Sequence, residues 1–289
     1  MAIDYLQDKI RKLKNPSMID LTVKPEHIPA HITEEEGSLT ASYARFCREL
    51  MGALKDLVPA VRFSFTAFAL LEDGVSCMKQ LMQEAKELGY YVVLDCPEVL
   101  TPWNADMIAQ TIASGEGYAC DGLIVSPYIG SDAIKPFVPA CKESGKDLFV
   151  VVRSPNKTAS ELQDLLTGSR HVYDAAAEMV NRLAAQYGKY GYSPVAAAVS
   201  AGSPDSLRAL RTKHNRLFLL VDGLDYPSGN AKNCSFAFDR FGYGAVVCAG
   251  PDVTCAWKEA EMESAEFLTA ATQAAERMKK NLNRYFSIL

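Results

Sequence analysis

The chain lacks most of the features that would assign it at a glance. None of its apolar runs approaches the roughly eighteen residues needed to cross a bilayer, so a helical membrane span is excluded. Lys and Arg number 30 against 35 Asp and Glu, and no basic block is longer than "KIRKLK", which leaves nucleic acid without an electrostatic footprint. The eight cysteines, at 47, 77, 96, 120, 141, 234, 248 and 255, include no CxxC pair. Zinc spacing is therefore missing, no metal is expected, and free thiols in a reducing, cytoplasmic compartment are the expected state. GxSxG, P-loop and GxGxxG motifs are absent as well, which removes the support for covalent hydrolase, phosphotransfer and dinucleotide readings.

What the sequence does contain is a series of short, β-branched apolar runs: "SMIDLTV" (17–23), "VPAVRFSF" (58–65), "YYVVLD" (90–95), "DGLIVS" (121–126), "DLFVVV" (147–152), "PVAAAVS" (194–200), "RLFLLV" (216–221) and "GAVVCAG" (244–250). Amphipathic segments separate most of them. In "VSCMKQLMQEAKELG" the apolar positions 75, 78, 81, 82 and 85 share a face and Gly89 marks the stop. In "HVYDAAAEMVNRLAAQYG" the face is Val172, Ala176, Met179, Val180, Leu183 and Ala184, with Gly188 as the stop. An N-terminal helix over about 3–14 carries Tyr5, Leu6, Ile10 and Leu13 roughly on one side. Strands that alternate with helices imply a parallel sheet, and continuously apolar strands imply burial on both faces. Eight such units in 289 residues predict a single-domain TIM (β/α)8 barrel spanning 1–289. A doubly wound open sheet would carry glycines after the first strand, and "LTVKPEHIPAHI" has none.

In a barrel the working face is built just beyond the strand ends. Those positions hold Asp20 and Thr22, Arg62 and Ser64, Asp95 with Cys96 and Glu98, Ser126 and Tyr128, Arg153 and Ser154, Ser200, Asp222 and Asp225, and Cys248 and Asp252. About half can point inward, because side chains alternate. Arg62 and Asp95, on adjacent strands, are expected to meet as an ion pair, either structural or ligand-binding. His27 and His31 flank Pro29 without an HExxH pattern and read as loop residues, and His171 and His214 carry no motif.

Two segments are specific enough to carry a family resemblance. "SPYIGSDAIKPF" (126–137) and "FVVVRSPNKTASELQDL" (149–165) resemble the strand-four and strand-five segments of the longer, bacterial-type orotidine 5′-phosphate decarboxylases. "KNPSMIDLTVKPEHIPAHI", "LVPAVRFSF" and "AAAVSAGSPDSLRALR" fall in the family's order for its first, second and sixth strands, so that the resemblance runs from about residue 5 to 285. It implies a cofactor-free TIM barrel that works as a dimer with its sites at the subunit interface. The family's reaction converts orotidine 5′-phosphate to UMP and carbon dioxide, using a strand-two lysine and a strand-three Asp-x-Lys-x-x-Asp array whose second lysine protonates the carbanion.

Transferred residue by residue, the resemblance places Arg62 at the first lysine, Asp95 at the first aspartate, Pro97 at the proton-donating lysine and Leu100 at the final aspartate. The sugar-binding aspartate falls on Thr22, and the phosphate-gripping glutamine and arginine fall on Pro227 and Pro251, while Gly223 is kept. Asp222, Asp225 and Asp252 add negative charge where the family binds phosphate. The expectation is a diverged mouth, with Thr22, Ser126, Ser154, Ser200, Asp222, Gly223 and Asp225 as its ligand-binding candidates and Asp95 and Arg62 in the positions of catalytic residues. Three readings follow: a non-catalytic homologue, as a homodimer or paired with a competent family member; an enzyme or binding protein for a less anionic small molecule; and a residual decarboxylase.

Overall fold

The structure is a computed structural model and describes residues 1–115 and 117–289. The eight apolar runs become eight parallel strands: β1 (Ser17–Asp20), β2 (Ala60–Ser64), β3 (Tyr91–Asp95), β4 (Gly122–Val125), β5 (Asp147–Arg153), β6 (Ser193–Ser200), β7 (Leu217–Asp222) and β8 (Ala245–Ala249). Each pairs with the next in the chain and β8 closes on β1, as the TIM-barrel expectation requires.

Alternation along the strands divides the core in two. Met18, Ala60, Tyr91, Val93, Ile124, Phe149, Ala196 and Phe218 fill the barrel, with Phe149 and Phe218 meeting edge to face at 6.4 Å. Ile19, Val61, Phe63, Val92, Leu94 and Leu123 face outward against the helices. Continuing the inward set toward the C-terminal ends brings Asp20, Arg62, Asp95, Arg153 and Asp222 to the mouth.

Three local expectations need correction. The N-terminal helix, α1 (Ala2–Leu13), buries Ile3, Leu6, Gln7 and Ile10, and Tyr5 is exposed. It closes the bottom of the barrel, so the buried side is the one that meets Tyr91 and Phe218. The helix Val172–Leu183 buries Tyr173 and Ala177 in addition to Ala176 and Val180, and it ends at Ala184 (ψ 73°) rather than running on to Gly188. Gly188 has a packing role, since a Cβ there would lie 2.3 Å from a carboxylate oxygen of Asp4. Finally, the expected strand 17–23 leaves the sheet after Asp20. The Tyr43 hydroxyl takes over its backbone, accepting from the Val23 N–H at 2.7 Å and lying 3.0 Å from the Leu21 carbonyl. A short antiparallel ribbon, Leu166–Thr167 with Arg170–His171, has no periodic signal in the sequence.

Candidate functional site at the barrel mouth

Two connected chambers open at the C-terminal ends of the strands. The larger, ≈ 450 Å³, is bounded by Asp20, Thr22, His27, Asp225, Tyr226 and Pro251. A smaller one, ≈ 90 Å³, is bounded by Asp95, Ile124, Val151, Arg153, Ser154 and Pro155. Arg62 and Asp222 belong to both walls.

Arg62 does not pair with Asp95. Its guanidinium forms ion pairs with Asp20 through Nη2 and with Asp222 through Nη1, the latter at 2.9 Å. Strand register is the reason: Arg62 lies level with Asp20 on β1, whereas Asp95 lies level with Ser64, one inward position higher. Burial works against the Arg62 cation, but the two carboxylates outweigh it and hold the group firmly charged. Asp20, which the sequence places at the first strand end, is thus central to the site as a partner of Arg62.

Asp95 is left alone. Among the described residues it has no ion-pair partner within 4.0 Å and no hydrogen bond to its carboxylate. Burial pushes its pKa up to about 7; the pull of the Arg62 charge is the next largest influence and opposes this, and weaker repulsions from Asp20, Asp222 and Glu98 add to the rise. The other guanidinium of the smaller chamber gives no relief. Arg153 holds Asp164 in a fork, Nε to Oδ1 at 2.8 Å and Nη2 to Oδ2 at 3.0 Å, and its Nη1 donates to the Ser154 carbonyl.

Because Asp95 titrates higher in the folded chain than in the unfolded one, its own contribution to folding stability falls as pH rises from about 4 to about 7 and is level on either side. Asp95→Asn removes that dependence. The variant is expected to be more stable than the parent at pH 7 by on the order of 4 kcal/mol, with the gain vanishing near pH 4. Thermal melts across that range check it, and a gain independent of pH would contradict it.

The remaining expected residues divide. Thr22 lines the larger chamber with a buried Oγ1 that has no partner among the described residues. Asp225 lines it too, accepting the Gly250 N–H at 2.8 Å, and its pKa is raised chiefly by burial. Asp222 accepts the Gly223 N–H at 2.9 Å besides holding Arg62. Ser154 borders the smaller chamber and is tied to Gln163, whose Nε2 donates to its Oγ at 2.8 Å.

Several others do not reach either wall. Ser200 is buried and accepts the Gly202 N–H at 3.1 Å, Ser126 lines neither chamber, and Gly223 serves the turn after β7 with φ +72°. Pro97 and Leu100 line neither chamber, Leu100 being 74% exposed, and Asp252 is exposed outside them. Pro227 and Pro251 do border the larger chamber.

Lys24 and His27 also line this chamber, unforeseen because they reach it from a loop with no periodic signal. Burial lowers the His27 pKa, so the imidazole is neutral near pH 7. Of the cysteines, Cys248 sits inside the barrel beneath Arg62 and Cys96 belongs to the outer layer. Among the described residues no group of three His, Cys, Asp or Glu side chains is placed to hold a metal.

A family model for the orotidine 5′-phosphate decarboxylase / HUMPS family matches residues 66–225. The orotidine 5′-phosphate decarboxylase of Rhodopirellula baltica is 30% identical over 249 residues, covering 83% of this chain and 82% of that one. The chain belongs to the orotidine 5′-phosphate decarboxylase family. The Clostridium novyi orotidine 5′-phosphate decarboxylase is 25% identical and aligns along 98% of this chain and 99% of its own. In fold, the OMP decarboxylase of Leishmania donovani superposes with a TM-score of 0.71 at 20% identity, covering 98% of both chains. Within the family's barrel, then, the mouth of this member presents Asp20 and Asp222 paired to one arginine, Asp225 beside them, and an aspartate that, among the described residues, pairs with neither arginine of its chamber.

Proposed function

We propose that this family member does not decarboxylate orotidine 5′-phosphate, and that its mouth holds a small molecule carrying less negative charge. The observation that supports this reading most strongly is the isolation of Asp95. In the family's array the corresponding aspartate works between lysines, and here the nearby guanidinium is committed to Asp20 and Asp222. Pro97, at the place of the proton donor, has no titratable group. Asp95 offers a ligand a hydrogen-bonding carboxyl that no protein group fills, beside the acids Asp20, Asp222 and Asp225, which favours a ligand with hydroxyl or amine donors over a phosphate ester.

Calorimetry with UMP and its 6-substituted analogues tests the binding half of this reading. No saturable heat is expected up to millimolar ligand, since each missing charge-assisted phosphate contact removes about 1.5–3 kcal/mol. Micromolar binding of UMP would overturn it.

A homodimer is part of the proposal, supported by an apolar rim on the loops after β2, β3 and β4. Leu100, Trp103 and Met107 are spaced three and four apart along and just before the helix Pro102–Ile108, and Trp103 is 68% exposed. Leu70, 83% exposed, and Ile129 follow the strands on either side. An exposed patch of this kind is characteristic of an interface. Trp103→Glu is expected to convert a dimer at micromolar concentration into a monomer by light scattering, and an unchanged mass would remove this surface from the interface. A cytoplasmic location fits eight unpaired thiols, most of them buried.

A further inference from the structure

At the opposite end of the barrel lies a cavity of ≈ 220 Å³. It sits between the helix Phe137–Ser144, the end of the helix Val172–Leu183 and the first residues of β5 and β6, and its apolar wall is Val138, Cys141, Leu148, Leu183, Pro194 and Val195. The cavity follows from the early stop of the helix Val172–Leu183. The sequence continues its apolar face to Ala184, but the backbone turns away there, and the helical turn that would cover Leu148 and Val195 is replaced by the loop over 185–190.

An apolar cavity of about 150 Å³ is enough to take up benzene, because a ligand gives its walls contacts they otherwise lack. This one has room for a ring with a short substituent or a chain of roughly six to eight carbons. Charge at its edge favours one sign. Lys142 and Lys146 line it, the Lys146 ammonium donating to the carbonyls of Ile112 and Ala113, each at 3.0 Å. The one acid among the described lining residues, Asp147, is fully buried, receives the Tyr91 hydroxyl at 2.7 Å, and is pushed by burial toward its neutral form.

We propose that this cavity binds a small amphiphilic anion, a single ring or short alkyl chain bearing one carboxylate, with its apolar body against Leu148 and Val195 and its carboxylate at Lys142, the lining lysine whose ammonium holds no carbonyl or carboxylate among the described residues. The site is separate from the mouth and uses none of its residues, so it stands or falls independently of the function proposed there.

Titration of the whole chain with octanoate, and in parallel with 1-octanol, tests the assignment by calorimetry. Octanoate is expected to saturate a single site. Val195→Phe, which fills the cavity, is expected to abolish binding, and Leu183→Trp, at a half-buried edge position, does the same should the first variant fold poorly. Lys142→Glu is expected to weaken octanoate about fivefold while leaving 1-octanol unchanged. Absence of saturation, or unchanged octanoate affinity in a folded filling variant, overturns the site. Equal weakening of octanoate and 1-octanol by Lys142→Glu overturns the carboxylate assignment.

Discussion

With orotidine 5′-phosphate as substrate, the purified protein is expected to show a kcat/KM at least about 10⁴-fold below that of a working family member. A positioned general acid is worth about 10²- to 10⁴-fold, and Pro97 cannot supply one. Preorganised charge at the reacting centre adds about 10²- to 10³-fold where it is present. Here the neighbouring guanidinium is held by Asp20 and Asp222, and Asp95 is drawn toward its neutral form. The two losses multiply, and weak binding of the remote phosphate removes energy that would otherwise be used at the reacting centre. Pro97→Lys alone is expected to recover little. The position borders neither chamber, and Leu100 leaves the restored lysine without the aspartate that the family's array places after it. Turnover within tenfold of a working member, abolished by Asp95→Ala, would refute the divergence.

The second large effect concerns stability. Arg62→Met is expected to destabilise the fold by about 3–5 kcal/mol, because it leaves two partly buried carboxylates facing one another without their shared cation. For a chain of this size the melting temperature should fall by on the order of 10 °C. Adding Asp20→Asn and Asp222→Asn to Arg62→Met is expected to return most of the loss, since the triple variant has no unmatched charge to bury. Arg62→Lys should lie between, as a single ammonium lacks the separate guanidinium nitrogens that reach β1 and β7 together. Calorimetric melts of the series decide the matter. A neutral Arg62→Met would show that the cluster is a solvated surface pair and not the electrostatic keystone of the mouth.

Much of the architecture was legible in the linear sequence. Eight β-branched runs became eight barrel strands because a strand buried on both faces is apolar at every position, a pattern local enough to survive without tertiary information. The helix Gly74–Glu87 followed its apolar spacing, and Gly89 took the positive φ expected of a stop. Less local features failed. Gly188 looked like the end of a helix but is small because Asp4, from the far end of the chain, packs against it. Helical spacing puts Tyr5 on a face with Leu6 and Ile10, whereas the barrel bottom buries Ile3 and Gln7 with them instead.

At the mouth, composition already indicated acids where the family resemblance called for cations, and Thr22, Ser154, Asp222, Asp225, Arg62 and Asp95 do line the chambers. Who pairs with whom was decided by register. A stagger of one inward position between β2 and β3 moves Arg62 from Asp95 to Asp20, and barrel closure brings Asp222 from β7 to its other side. The sequence by itself determined the barrel and the identities of the charges at its mouth, because both are set by residue type and alternation along single strands. Only the tertiary structure decided that Arg62 is satisfied and Asp95 is not, because a pairing between strands depends on shear and closure, which no single strand encodes.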